Sequence, residues 1–277
     1  MEKINYFNQQ PPGDIPEIFA PDIISTDAYE FAGTFTPDGK EFFFTRRPSF
    51  EGSDNRIYYS YYQNRTWSEI KLAPFALDVF EMLPYVTPKG DRIFFSSYRK
   101  KTVGITEEGE IWCSVKTDQG WSEATYFDSL VNRKFTMYIT STYDGTLYFT
   151  AKNEDKRGIF KSKLVDGIYK DSEFLPPEIN AIGSAHPFIA PDESFMIVDS
   201  QQKGMGMPEL FISFRKDGGW TKMINMGREI NSTSTEYSAS LSPDGKYLFF
   251  HRRIQNKGDI YWVSSNIIEE LREKTLF

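Results

Sequence analysis

Two matched triplets, Thr45-Arg46-Arg47 and His251-Arg252-Arg253, contain the side chains best suited to chemistry in this chain. A guanidinium offers a planar fork of donors that fits a carboxylate, sulfate or phosphate. Arg99, followed by Lys100 and Lys101, stands in a comparable place, as do Lys152, Lys156 with Arg157, Lys203 and Lys257. Proton transfer has fewer candidates. His186 and His251 are the only histidines, and Glu30, Glu81 and Glu236 each stand seven residues before a turn proline. Arg46, Arg47, Arg99, His251, Arg252, Arg253 and Glu30 are therefore expected to bind an anionic ligand. Glu81, Glu236 and His186 are the candidates for a catalytic acid or base.

Composition narrows the classes in which such residues could serve. With 277 residues and 16% aromatic side chains, the chain can bury a core, which excludes wholesale disorder. No apolar run approaches the ~18 residues of a membrane span. A net charge of -7 argues against nucleic acid as a partner. The expected partner is an anionic small molecule or saccharide, or a protein segment, and a monomer is the expected state. A lone Cys113 makes neither an intramolecular disulfide nor a Cys-built zinc site, and two histidines exclude a three-histidine zinc site. No metal is assigned, although an oxygen-rich Ca²⁺ site remains open. No nucleophile elbow, phosphate-binding loop, H-E-x-x-H motif or dinucleotide fingerprint is present. The opening residues lack a basic stretch followed by an apolar one. That places the chain in the cytoplasm as it stands, or in the periplasm or outside the cell if a leader precedes it.

The elements that position these residues are legible as repeats. A turn recurs as TPDGK, TPKGD, TYDGT, APDES and SPDGK, centred on Pro37, Pro88, Tyr143, Pro191 and Pro243, at steps of roughly 50 residues. An aliphatic–aromatic pair keeps the same step: Ile57-Tyr58, Ile111-Trp112, Ile159-Phe160, Leu210-Phe211 and Ile260-Tyr261. Trp67, Trp121, Tyr169 and Trp220 follow ten residues after the first four pairs, and such repeated aromatics are expected to pack between units.

Each unit reads as four short strands. The first runs into the turn, where Pro pre-sets φ, Asp caps its own backbone and Gly accepts positive φ. An aromatic run such as EFFFT at 41–45 leaves it, the aliphatic–aromatic pair forms the third strand, and the fourth starts near the Trp. Along the first strands, alternation separates a packed side (Phe31, Phe35, Met82, Val86, Ile139, Ile189, Leu241) from a wetter one (Glu30, Thr34, Glu81, Thr87, Thr140, His186, Glu236, Ser240). The fifth unit lacks a fourth strand and ends in a short helix over 267–274, capped by Asn266 with Glu269. PEIFAP at 16–21 matches SEIKLAP at 68–74, so the N-terminal segment is expected to supply the missing strand. The predicted fold is all-β: a single five-bladed β-propeller spanning residues 1–277, closed by the N-terminal strand. Ring closure would then make the two arginine triplets neighbours.

The S-P-D-G-K turn, the aromatic strand after it and the I-Y-x-x-S strand resemble the PD40 repeat, the WD40-like propeller repeat of TolB-family proteins. The resemblance covers nearly the whole chain and implies a propeller. TolB propellers usually have six blades, whereas five units are present here. Propellers of this kind include protein-binding modules, peptidase accessory domains and carbohydrate-active enzymes.

Two functional expectations follow. In the first, the channel mouth captures an anionic saccharide or protein segment without chemistry. In the alternative, the chain is a hydrolase or lyase acting on acidic saccharides, with Glu81, Glu236 or His186 as acid or base and arginines neutralising the substrate carboxylate.

Overall fold

The turns fold as their residue types require. In the first, the Thr36 hydroxyl donates to Asp38 Oδ1 at 2.6 Å, the Lys40 amide donates to the same oxygen, and Gly39 takes φ 69°. Gly90, Gly145 and Gly245 take φ 70°, 89° and 72° at the matching places. The fourth turn has no glycine, and Glu193 itself adopts φ 62°. This computed structural model describes residues 4–101, 110–153, 155–202, 204, 206 and 208–276; Lys203 lies outside them.

Every turn joins an inner strand to a second strand: Tyr29–Phe35 to Glu41–Arg47, Glu81–Val86 to Arg92–Ser97, Thr136–Ser141 to Leu147–Asn153, Ala185–Ile189 to Phe195–Ser200, and Thr235–Leu241 to Tyr247–Ile254. Third strands follow antiparallel at Arg56–Gln63, Ile111–Thr117, Lys156–Ser162, Glu209–Lys216 and Lys257–Ser264. Two-residue outer strands complete the first four units, at Lys71–Leu72, Thr125–Tyr126, Glu173–Phe174 and Ile224–Asn225. In the fifth unit the outer position is taken by Glu17–Ile18, which pairs Glu17 with Trp262 and Ile18 with Tyr261. Phe19, fully buried, carries this segment into a core of Phe42, Phe249 and Trp262. The C-terminal helix, Asn266–Leu276, packs Ile268 against the fifth unit. Asn266 lies inside the helix rather than capping it.

Hydrogen bonds join successive inner strands. Val86 donates its amide to Thr34 Oγ1, the Tyr85 hydroxyl donates to the Ser141 carbonyl, Thr140 Oγ1 donates to the Pro187 carbonyl, and Ser240 Oγ donates to the Gly33 carbonyl. The fourth and fifth meet through the rings of His186 and Tyr237, 5.6 Å apart. The core lies between neighbouring sheets: Phe43 and Ile57 of the first unit pack with Ile93, Phe95 and Trp112 of the second. Such sheet-on-sheet burial stabilises by about 25 cal/mol per Å² of apolar surface. Trp121 belongs to that layer, edge-on to Phe43 at 5.7 Å. It sits in a short hairpin that extends the third strand, and so do Trp67 and Trp220, so the tryptophans precede the outer strands rather than opening them.

The expected alternation of packed and wetter sides does not hold. Glu30, Glu81, Thr140 and Glu236 are each 0% exposed. The reason is a bulge in every inner strand, where the register shifts and one residue adopts positive φ: Ala32 (53°), Leu83 (60°), Tyr138 (49°), His186 (41°) and Ser238 (53°). An extra residue re-aims the side chains on either side of it, which breaks a strict period of two. The axis is also filled. Phe31, Ala32, Leu83 and Tyr138 cluster there, and the Tyr138 hydroxyl reaches across to the Ala239 carbonyl at 3.1 Å.

Candidate functional site

Three of the expected site arginines form one repeated clamp. Arg46 Nε donates to Glu30 at 2.7 Å, its Nη2 reaches the Ile23 and Ile24 carbonyls, and its guanidinium lies over Phe44 and Tyr58. Arg252 repeats the arrangement with Glu236 at 2.9 Å, the Ile230 carbonyl, Phe250 and Tyr261. Arg99 does so with Glu81, the Phe75 carbonyl, Phe95 and Trp112. Burial pushes the Glu30 and Glu81 carboxyls up, against their hydrogen bonds and arginine partners. These carboxylates stand inside the fold, each tying a second strand to the segment that enters its inner strand.

His251 is likewise interior, 0% exposed between the fifth and first units. Its Nδ1 lies 2.9 Å from the Glu30 carbonyl and its Nε2 lies 3.0 Å from the Tyr29 hydroxyl. Burial, with Arg47 and Arg253 nearby, pushes this imidazole down to about 3, so it is neutral at ordinary pH. Gly258 makes the meeting possible: a Cβ there would come within 2.5 Å of both rings.

The second strands align through the turn pairs Phe35–Phe42, Val86–Ile93, Ser141–Leu147, Ile189–Met196 and Leu241–Leu248. Three residues on, this places Thr45, Ser96, Thr150, Asp199 and His251 at one repeated position. Two of the three hydroxyls there tie neighbouring units: Thr45 Oγ1 accepts the Leu83 amide and Thr150 Oγ1 accepts the His186 amide, whereas Ser96 Oγ is buried without a partner among the described residues. The fourth unit departs twice. Asp199 replaces the hydroxyl, and His186 occupies the bulge where other units carry Ala32, Leu83, Tyr138 and Ser238. The two bond each other, His186 Nδ1 to Asp199 Oδ1 at 2.9 Å and to Oδ2 at 3.2 Å. A carboxylate only accepts, so Nδ1 carries the proton and Nε2 presents its lone pair. The His186 side chain is 17% exposed and Asp199 4%, so the carboxylate is the more deeply set of the pair.

Tyr138 and Tyr237 wall the imidazole, with ring centroids at 5.4 and 5.6 Å. The Tyr237 ring meets His251 at 4.3 Å, His251 meets Tyr29 at 4.9 Å, and Tyr29 lies under Arg47 at 4.0 Å. Phe50 sits between Arg47 and Arg253, 5.7 and 5.0 Å from them. Among the described residues neither of these arginines has a carboxylate within 4 Å, and Arg47 Nε is buried without a partner. Arg47 Nη1 donates to the Gly52 carbonyl and Arg253 Nη2 to Thr235 Oγ1, so each guanidinium is held by neutral partners rather than by a carboxylate. Arg47 also lines a cleft of about 330 Å³ with Arg46, Asp54, Arg56 and Asp78.

The structure thus brings Arg47, Arg253 and His186 to one region and sets Arg46, Arg99, Arg252, Glu30, Glu81, Glu236 and His251 into the fold beneath and beside it. Asp199, Tyr29, Tyr138 and Tyr237 were missed by sequence reasoning. A usable signal existed for Asp199, which breaks the Thr/Ser run at its repeat position. The larger cavity, about 560 Å³, opens at the opposite, turn-bearing end beside Tyr85, Tyr143, Phe188 and the turn prolines. Its lining lacks the imidazole–carboxylate pair. Among the described residues no three His, Cys, Asp or Glu side chains group closely enough to hold a metal ion between them. Cys113 is buried, its thiol pushed up to about 12 by burial.

This all-β fold is of the propeller kind. No family model and no curated protein matches the chain. Solved structures do. A gluconolactonase from Xanthomonas campestris is 10% identical over 91% of this chain and 95% of its own, with a TM-score of 0.51. A protein assigned as TolB from Agrobacterium tumefaciens is 14% identical over 82% of this chain and 70% of its own, with a TM-score of 0.48. A periplasmic gluconolactonase from Pseudomonas aeruginosa is 14% identical over 82% of this chain and 65% of its own, with a TM-score of 0.43. At these identities the likeness is one of fold.

Proposed function

We propose that the chain is a hydrolase or lyase acting on an acidic saccharide, with His186 as general base, Asp199 holding its tautomer, and Arg47 with Arg253 receiving the substrate's anionic group. The observation that carries this is the His186–Asp199 pair. It sets a carboxylate, where the first three units carry hydroxyls, against an imidazole at the bulge, where the other units carry Ala32, Leu83, Tyr138 and Ser238. In a hydrolase, Nε2 would take a proton from water as the oxygen attacks an ester or lactone carbonyl. In a lyase it would take the proton from the carbon beside the uronate carboxylate while the glycosidic C–O bond at the next carbon breaks, a C=C bond forms between the two carbons and the departing oxygen takes a proton from water. In both, Asp199 offsets the charge of the imidazolium. A gluconolactonase of similar fold is compatible with this chemistry, although the pair and not the likeness supports it. We also infer that the five units form a five-bladed ring closed by the N-terminal strand. The Glu17–Trp262 pairing and the chain of hydrogen bonds between inner strands support that arrangement.

The test is turnover of glucono-1,5-lactone, followed by acid release, and of oligogalacturonate, followed by its unsaturated product. The wild type is expected to turn over one of them and His186→Gln neither. Binding of uronate without turnover of either compound would restore the purely binding reading.

A further inference from the structure

We propose that the turn-bearing end of the fold holds a second binding site, for a small organic ammonium ion carried on an apolar body. The cavity there, about 560 Å³, has the size and the mostly apolar lining of sites that take small molecules. Phe35, Tyr85, Phe188 and Phe195, all buried in the fold, contribute to its wall. Its charge is acidic: Asp192, Asp244 and Glu269 line it against a single guanidinium, Arg272. That guanidinium is already engaged, its Nε 3.3 Å from Glu269 and its plane over Phe195 and Phe214. Asp244 is engaged as well, by the hydroxyls of Ser242 and Tyr6.

Asp192 is the carboxylate left over. In three other turns the aspartate accepts a hydroxyl from the residue two before it, Thr36 to Asp38, Thr142 to Asp144 and Ser242 to Asp244. In the fourth unit that residue is Ala190, and among the described residues Asp192 accepts only the Ser194 amide, at 3.0 Å. A carboxylate has about four acceptor positions, so most of its capacity is open where it lines the cavity. Tyr143 stands beside it. The Tyr143 amide donates to the Pro191 carbonyl at 2.8 Å, which sets the third turn against the fourth, one residue from Asp192. The other four turns carry Pro37, Pro88, Pro191 and Pro243 at this place, whereas here an aromatic residue lines the cavity and is 57% exposed. The mouth thus offers positive charge both an acceptor and a π face, and the wall behind them accepts an apolar body.

Three compounds with one phenylpropyl body separate charge from apolar burial: phenylpropylamine, protonated at pH 7, the neutral phenylpropanol, and phenylpropionate. Calorimetry at low salt should show the wild type binding the amine roughly tenfold tighter than the alcohol, as one half-open ion pair and one cation–π contact together allow, with the carboxylate weakest. Asp192→Asn keeps an oxygen for the Ser194 amide. It should weaken the amine severalfold and leave the alcohol unchanged. Tyr143→Leu keeps apolar bulk at the mouth and should likewise weaken the amine alone. A wild type that binds the amine no tighter than the alcohol, an Asp192→Asn or Tyr143→Leu that keeps the full preference, or equal weakening of amine and alcohol by either variant would overturn the proposal. Each of these outcomes leaves the reading of His186, at the other end of the fold, where it stands.

Discussion

His186 Nδ1 stands 2.9 Å from Asp199 Oδ1, a carboxylate at the position where the first three units carry the hydroxyls of Thr45, Ser96 and Thr150. If the pair works as a base, Asp199→Asn should keep the imidazole in place yet favour the wrong tautomer. Turnover should fall by ~10²–10⁴-fold with little change in Tm, measured as kcat on the substrate the wild type accepts. An unaffected kcat would remove Asp199 from the mechanism.

The clamps should answer differently. Arg46→Met leaves Glu30 buried and unpaired, which costs on the order of 3 kcal/mol. Denaturant unfolding should show the loss, and adding Glu30→Gln should restore part of it. Arg47→Gln should instead weaken anion binding with little loss of stability. Equal behaviour of Arg46→Met and Arg47→Gln would erase the distinction between clamp and site.

Stability should depend on acid through His251. Its folded pKa, about 3, lies below the ordinary 6.5, so the unfolded chain binds the extra proton. The contribution is complete above 6.5 and is lost progressively as pH falls toward 3. Tm should drop between pH 7 and 4, and His251→Gln should flatten that slope even though it lowers Tm at pH 7.

Asp259 has the opposite sign. Burial first, then the charge of Glu30, pushes its carboxyl up from 3.8 to about 6. The folded state therefore binds the extra proton, and the contribution present below 3.8 is lost as pH rises through 6. Asp259→Asn should raise Tm at pH 8 and change it little at pH 3.5. A fall in Tm at pH 8 would show that the carboxylate has a favourable partner.

Removing residues 1–22 takes away the outer strand of the fifth unit and the buried Phe19. Loss of one such ring costs ~3–5 kcal/mol, or about 10 °C in a domain of this size, and the bared strand edge invites aggregation. A truncated protein that melts like the full chain would contradict closure through this segment.

The strand pattern was legible because turn chemistry is local. Asp38 and Gly39 act on their own backbone, so five turns and the aromatic strands after them can be read without tertiary knowledge. The site was legible only in part. Arg46 and Arg47 are adjacent and chemically identical, and nothing local says that one turns to Glu30 while the other lies over Tyr29. Cross-strand register decides that, setting Arg46 opposite Glu30 and Arg47 opposite Tyr29 on alternate faces, and the bulges carry no mark of their own: alanine, leucine, tyrosine, histidine and serine all occupy the same left-handed position. His186 was picked out by its rarity, whereas Asp199 needed the units aligned strand by strand.

The pairing of Glu17 with Trp262 also bears on synthesis. Glu17–Ile18 is made long before the strand it pairs with, so the segment around Phe19 must wait, apolar and unpaired, until Lys257–Ser264 has left the ribosome. During that interval a nascent chain most needs a chaperone.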